Sequence, residues 1–179
     1  MAATIPELNR KPGVCYALTD DGLELPVIDI THPAFAFEIS DTETGALIDA
    51  FVASTQRLAT LDPAMLKGMI QSSRLMRGML VDSAGTYTSG MTCYLHKLGP
   101  DNLGDGYAGP VDRQWAGSLT PVTFRWRMRD VVHLLADRLT SPLRTHPEAS
   151  LHLLNIGGGP AADSLNTLLV LHREHPELL

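Results

Sequence analysis

The sequence is poor in the features that would place it outside the cell, in a membrane or on nucleic acid. It holds two cysteines in 179 residues, Cys15 and Cys93, far apart and in no CxxC or metal-binding spacing. A disulfide framework is therefore not expected, and free thiols in a reducing compartment are. No apolar run approaches the roughly 20 residues that span a bilayer, and Met1 to Lys11 lacks a charged-then-apolar signal pattern. The expected location is cytoplasmic, with no membrane partner. Positive charge is also scarce: the formal net charge is -6, which argues against affinity built by neutralising many phosphates and makes nucleic acid an unlikely partner. The chain has no internal repeat or low-complexity tract. It also lacks a nucleophile elbow, the lysine and hydroxyl of a Walker turn, an HExxH pair and an EF-hand loop. Serine chemistry, ATP chemistry, zinc and calcium are thus unsupported, and no metal site is assigned, since His172 and His175 lack a third ligand.

What is present suits a packed soluble chain: 44% of residues are hydrophobic and 19% charged. Two short apolar runs, Val14–Leu18 and Leu23–Ile28, flank Thr19-Asp20-Asp21-Gly22 and predict a β-hairpin near residues 14–28, with Pro26 at a strand end. Beyond Asp41 the apolar period becomes helical. Leu47, Ile48, Phe51, Val52 and Leu58 predict a helix over 44–59, and Asp62-Pro63 is a sound start for another through Leu80, whose methionines suit adaptable core packing. Tyr87 to Leu98 predicts a third helix, stopped by Gly99-Pro100. The Gly/Pro/Asx-rich stretch from 99 to 110 reads as an irregular loop whose Tyr107 is a candidate ligand lid. A long helix over 122–139 should end at Pro142. Within it Arg125, Arg127 and Arg129 surround Trp126, read as a solvated face with the tryptophan turned inward.

The last thirty residues carry the most specific pattern. An apolar run, Leu151-His152-Leu153-Leu154-Asn155-Ile156, meets Gly157-Gly158-Gly159-Pro160-Ala161 and then a helical period through His172. His152 is expected in the core or at its rim. Glycines at such a junction permit positive φ and close approach of a ligand to the backbone, while the helix start presents unpaired N–H groups. Residues 153–161 resemble motif I of class I S-adenosylmethionine-dependent methyltransferases, where a strand ends in an acid, one apolar residue and a glycine turn. The resemblance implies that Gly157, Gly158 and Gly159 cradle S-adenosyl-L-methionine, with Asn155 near its amino group and Pro160, Ala161 and Asp163 completing the site. Asn155 stands where the family has an acid, and Ala161 where it has a third glycine. The methyl acceptor, the catalytic residues and the oligomeric state are not legible.

The fold expected is a mostly α N-terminal module with a small β-hairpin over 1–147, followed over 148–179 by the first strand, glycine turn and helix of a truncated Rossmann-like α/β methyltransferase domain. A lone βα unit cannot cover its own faces. The expectation is thus an N-terminal fragment, inactive in methyl transfer alone, or a homo-oligomer or a partner that completes the fold through 165–179. Two other readings stay open. Gly157-x-Gly159-x-x-Ala162 satisfies a dinucleotide fingerprint, as in a flavin- or nicotinamide-binding oxidoreductase, though such turns usually sit near the N-terminus. A non-catalytic helical interaction module is the third.

Overall fold

The computed structural model of the chain describes residues 10–19, 22, 24–82, 90–104, 109–148, 150–157 and 159–179. Its fold is mostly helical, with one two-stranded antiparallel hairpin. Strands β1 (Tyr16–Leu18) and β2 (Glu24–Pro26) pair Tyr16 with Pro26 and Leu18 with Glu24, so the proline closes the end of the ladder. Among the described residues seven α-helices follow: α1 (Asp41–Ala59), α2 (Pro63–Ser72), α3 (Arg74–Asp82), α4 (Gly90–Leu98), α5 (Pro110–Ala116), α6 (Leu119–Thr145) and α7 (Ala162–Glu174).

Local chemistry explains where these elements begin. Helix α1 starts three residues before the expected Thr44 because Ser40 and Glu43 form a reciprocal capping box: the Glu43 N–H donates to Ser40 Oγ at 3.3 Å and the Ser40 N–H to Glu43 Oε2 at 2.8 Å. Asp62 caps α2 by accepting from the Ala64 N–H at 2.8 Å, with Pro63 in the first helical position. The single helix expected from 63 to 80 is instead broken at Ser73, which is extended (φ -108, ψ 124). The Ser73 hydroxyl donates to Asp112 Oδ1 at 2.6 Å and accepts from the Met76 N–H at 3.0 Å. Asp112 also takes the Leu75 N–H at 3.1 Å. One buried carboxylate on α5 thus holds the start of α3 and makes the break more favourable than a continuous helix.

Helix α6 runs through Pro142 to Thr145, beyond the expected stop. Leu139 and Leu143 pack on the core around this turn, and that burial outweighs the missing proline N–H. Helices α6 and α7 form the most extensive helix pair, and the core they share includes Met128, Val132, Ala136, Ala162, Val170 and Leu171. Ile28, Leu75 and Leu98 close it from the other elements.

Polar groups stitch the segment after β2 onto this core. Asn166, fully buried on α7, donates to the Ile28 carbonyl at 3.1 Å and accepts from the Ile30 N–H at 2.8 Å. Tyr94 on α4 donates to the Pro26 carbonyl and accepts from the Ile28 N–H at 2.9 Å. Asn102 donates to the Ala34 and Leu98 carbonyls at 2.9 and 2.8 Å. By contrast α1 buries none of its residues. The methionines expected in the core lie outside it, Met65 being 62% exposed and Met69 also exposed, because α2 packs mainly against its neighbour α3. No helix among the described residues is long and apolar enough to cross a membrane.

Candidate functional site

The glycine turn takes the backbone shape that its sequence requires. Gly157 (φ 68), Gly159 (φ 57) and Ala161 (φ 51) all lie in the left-handed region, and Ala161 is the non-glycine residue with positive φ among the described residues. Glycine enters that region without steric cost and alanine does not, so the turn holds a strained residue directly before α7. The N-cap residue Ala161 offers α7 no side-chain hydrogen bond, and the acid in its first turn is Asp163. Open space surrounds Gly157: a Cβ built there would meet nothing within 4 Å. Gly159 is seated differently, its Cβ position lying 3.8 Å from Cys93 Cβ and from Gly90 Cα at the start of α4. The turn therefore has an anchored side against α4 and an open side at Gly157.

Asn155 and Asp163 meet across the turn. The Asn155 amide nitrogen donates to Asp163 Oδ1 at 3.1 Å and to Ser164 Oγ at 2.8 Å. Since a carboxylate can only accept, the amide nitrogen must face Asp163, and Asn155 Oδ1 is turned away, without a partner among the described residues. Asp163 also accepts the Ser164 N–H at 3.1 Å. A carboxylate thus lies directly beside the amide at position 155. Pro160 is exposed, while Ala161 and Asp163 are half-buried. Gly158 and Tyr107, the candidate lid, lie outside the described residues.

The apolar run before the turn is not a strand here. Residues 150–156 carry neither helix nor strand, and both Leu154 and Ile156 are 86% exposed. The physical reason is the missing neighbour: an apolar strand is held by ladder bonds and by burial on both faces, and no described segment provides either. His152, expected in the core or at its rim, is exposed for the same reason. In α7 the apolar side is divided, with Val170 and Leu171 buried against α6 and Leu165 45% exposed.

Two groups of functional character were not legible in advance. His96, 2% exposed on α4, is held from both sides: Nδ1 lies 2.6 Å from the Thr92 carbonyl, and Nε2 accepts from the Trp115 indole N–H at 3.0 Å. An indole can only donate, so the imidazole is neutral with its proton on Nδ1, and burial pushes its pKa below the usual 6.5. The second group is the arginine cluster. It is not one solvated face, for Arg125 and Arg129 turn into the molecule while Arg127 stays exposed beside the Phe124 ring. Trp126 borders a shallow groove with Thr123, Val131 and Leu134. Among the described residues no three His, Cys, Asp or Glu side chains converge as metal ligands. Comparison with protein families, with curated proteins and with solved structures finds no match to this chain.

Proposed function

We propose that the turn at 155–163 is an S-adenosyl-L-methionine site and that the chain serves methyl transfer, its helices forming a cap beside the cofactor. The observation that carries this reading is the succession of left-handed residues Gly157, Gly159 and Ala161 running into the uncapped start of α7. Bound there, the cofactor would supply the activated methyl group. Gly157 leaves room for its ribosyl part to approach the backbone. Asn155 Oδ1, free to accept, would take a hydrogen bond from the cofactor's ammonium group, and Asp163 supplies negative charge within 3.1 Å of that amide. The bonds of its amide nitrogen to Asp163 and Ser164 leave the Asn155 oxygen available to such a donor.

The exposed Leu153, Leu154 and Ile156 support the same reading, because they suit a central strand awaiting pairing. Its neighbours, the adenine contacts and the acceptor site are assigned to a completing partner. Methyl transfer depends on holding donor and nucleophile in line, so completion of this sheet governs catalysis.

Calorimetric titration of the chain with S-adenosylhomocysteine tests the assignment. Binding is expected, and Gly159→Val should abolish it, since a branched side chain would enter a left-handed position packed against Gly90 and Cys93. Unchanged affinity in that variant refutes the site. Preference for NADH or FAD over the adenosyl ligand would move the reading to an oxidoreductase, and binding of none of them would favour an interaction module.

A further inference from the structure

At the far end of α4 from the glycine turn, residues 30–38 cross α4 and α6 and leave a cleft of about 120 Å³, bordered by Phe37, Lys97, Arg125, Met128, Arg129 and His133. Arg125 is the unusual member. Its guanidinium lies over the Phe37 ring, 4.5 Å from the centroid, and is pressed against Gly99, where a Cβ would come within 2.8 Å of Nη1. Its Nε is fully covered and has no hydrogen-bond partner, and the side chain forms no ion pair among the described residues. Asp101 is near enough to favour the charged form, yet burial wins and weakens the hold of Arg125 on its proton.

The surrounding charges do not neutralise it. Arg129 spends its Nε and Nη2 on exposed Asp130 and gives Nη1 to the Phe37 carbonyl at 3.1 Å. Lys97 has no partner among the described residues, and His133 stands at the mouth. Glu38, exposed, is the acid on the rim. A cation drawn largely out of water with no acid in contact is costly, and a guanidinium is the cation best suited to a planar or tetrahedral oxyanion. The walls beside it, Phe37 and Met128 with buried Phe35, are apolar.

We propose that this cleft binds a small oxyanion, a carboxylate or a phosphoryl group, carried on a compact apolar body, with Arg125 and Lys97 as its charge partners. The proposal does not depend on the glycine turn, which lies at the other end of α4. The test is a titration of the intact chain with benzoate and with inorganic phosphate at constant ionic strength, followed by backbone amide shifts. Saturable binding in the millimolar range (about -4 kcal/mol) is expected, with shifts centred on Phe37, Lys97 and Arg129. Stronger binding of benzoate identifies a carboxylate ligand, and stronger binding of phosphate a phosphoryl one.

Arg125→Met, which keeps the apolar stack, should weaken binding about tenfold or more without lowering stability in the absence of ligand. Lys97→Met should weaken it less, and Arg127→Met not at all. Should Arg125→Met impair folding, Lys97→Met alone decides. No saturable binding of either probe by about 50 mM, or wild-type affinity in the deciding variant, overturns the proposal.

Discussion

Replacing Asn166 by leucine tests the idea that one amide joins the C-terminal helix to the chain that follows the hairpin. The two side chains have similar size, so the exchange removes hydrogen bonds with little change of volume. Asn166 is 0% exposed, and its loss would leave the half-buried Ile30 N–H and the buried Ile28 carbonyl without their partner. The Ala162 carbonyl, which also accepts from this amide at 2.7 Å, keeps its place in the helix ladder. Each stranded group costs about 1–3 kcal/mol. Leucine recovers part of this through apolar burial, leaving a net loss of about 2–4 kcal/mol. Against a typical stability of about 5–15 kcal/mol that is a large share. With a urea m-value near 2 kcal/mol/M it lowers the midpoint by about 1–2 M, read from the fluorescence of Trp115 and Trp126.

Asn166→Asp adds a sign. A carboxylate at 166 still accepts from Ile30 but turns its second oxygen on the Ile28 and Ala162 carbonyls, so burial and repulsion raise its native pKa above the unfolded value of about 3.9. The folded form then binds the extra proton, and stability is greatest at low pH and falls as pH rises through the native pKa. A leucine variant within about 0.5 kcal/mol of wild type, or an aspartate variant with the wild-type pH profile, would refute this account of the joint.

Two further outcomes follow from buried polar groups. His96 has its native pKa held below 6.5, so the unfolded chain takes up the proton first. Its contribution is complete above pH 6.5 and declines as pH falls below that value, by at most about 1.4 kcal/mol per pH unit. His96→Gln should flatten this segment of a urea-midpoint profile from about pH 7.5 to 5, and an unchanged slope would place the titration elsewhere. Asp112→Ala should cost about 2–4 kcal/mol in a thermal melt by stranding the Ser73 hydroxyl and the Leu75 N–H, while Asp112→Asn, which keeps an acceptor oxygen, should cost less.

How much of this was legible depended on whether the deciding contact was local. The capping box at Ser40 and Glu43, the start at Asp62-Pro63, the stop at Gly99 and the hairpin around Gly22 are written within four or five residues, and their elements appear close to where the pattern puts them. The glycine turn is likewise a matter of three consecutive residues and the φ values they permit. The break at Ser73 depends on Asp112, 39 residues away, and the joint at Asn166 on carbonyl and amide groups 136 and 138 residues away. No short window carries such information. The apolar run at 151–156 has the composition of a strand, but a strand is a property of a pair, and composition alone does not supply the second member. Arg125 read as one of several arginines on a helix. Its distinction lies in Phe37 and Gly99, which approach it only in the folded chain.

Helix α1, nineteen residues long with none buried, has a consequence for what unfolding means in this protein. Its packing on the other helices is slight and is made mainly against α6, so α1 is expected to open at a lower free-energy cost than the core helices. Its amides will exchange with solvent on a clock of their own, faster than those of α6 or α7. Helicity and tryptophan fluorescence are then expected to give unfolding transitions that do not coincide, and coincident transitions would show that α1 unfolds with the core.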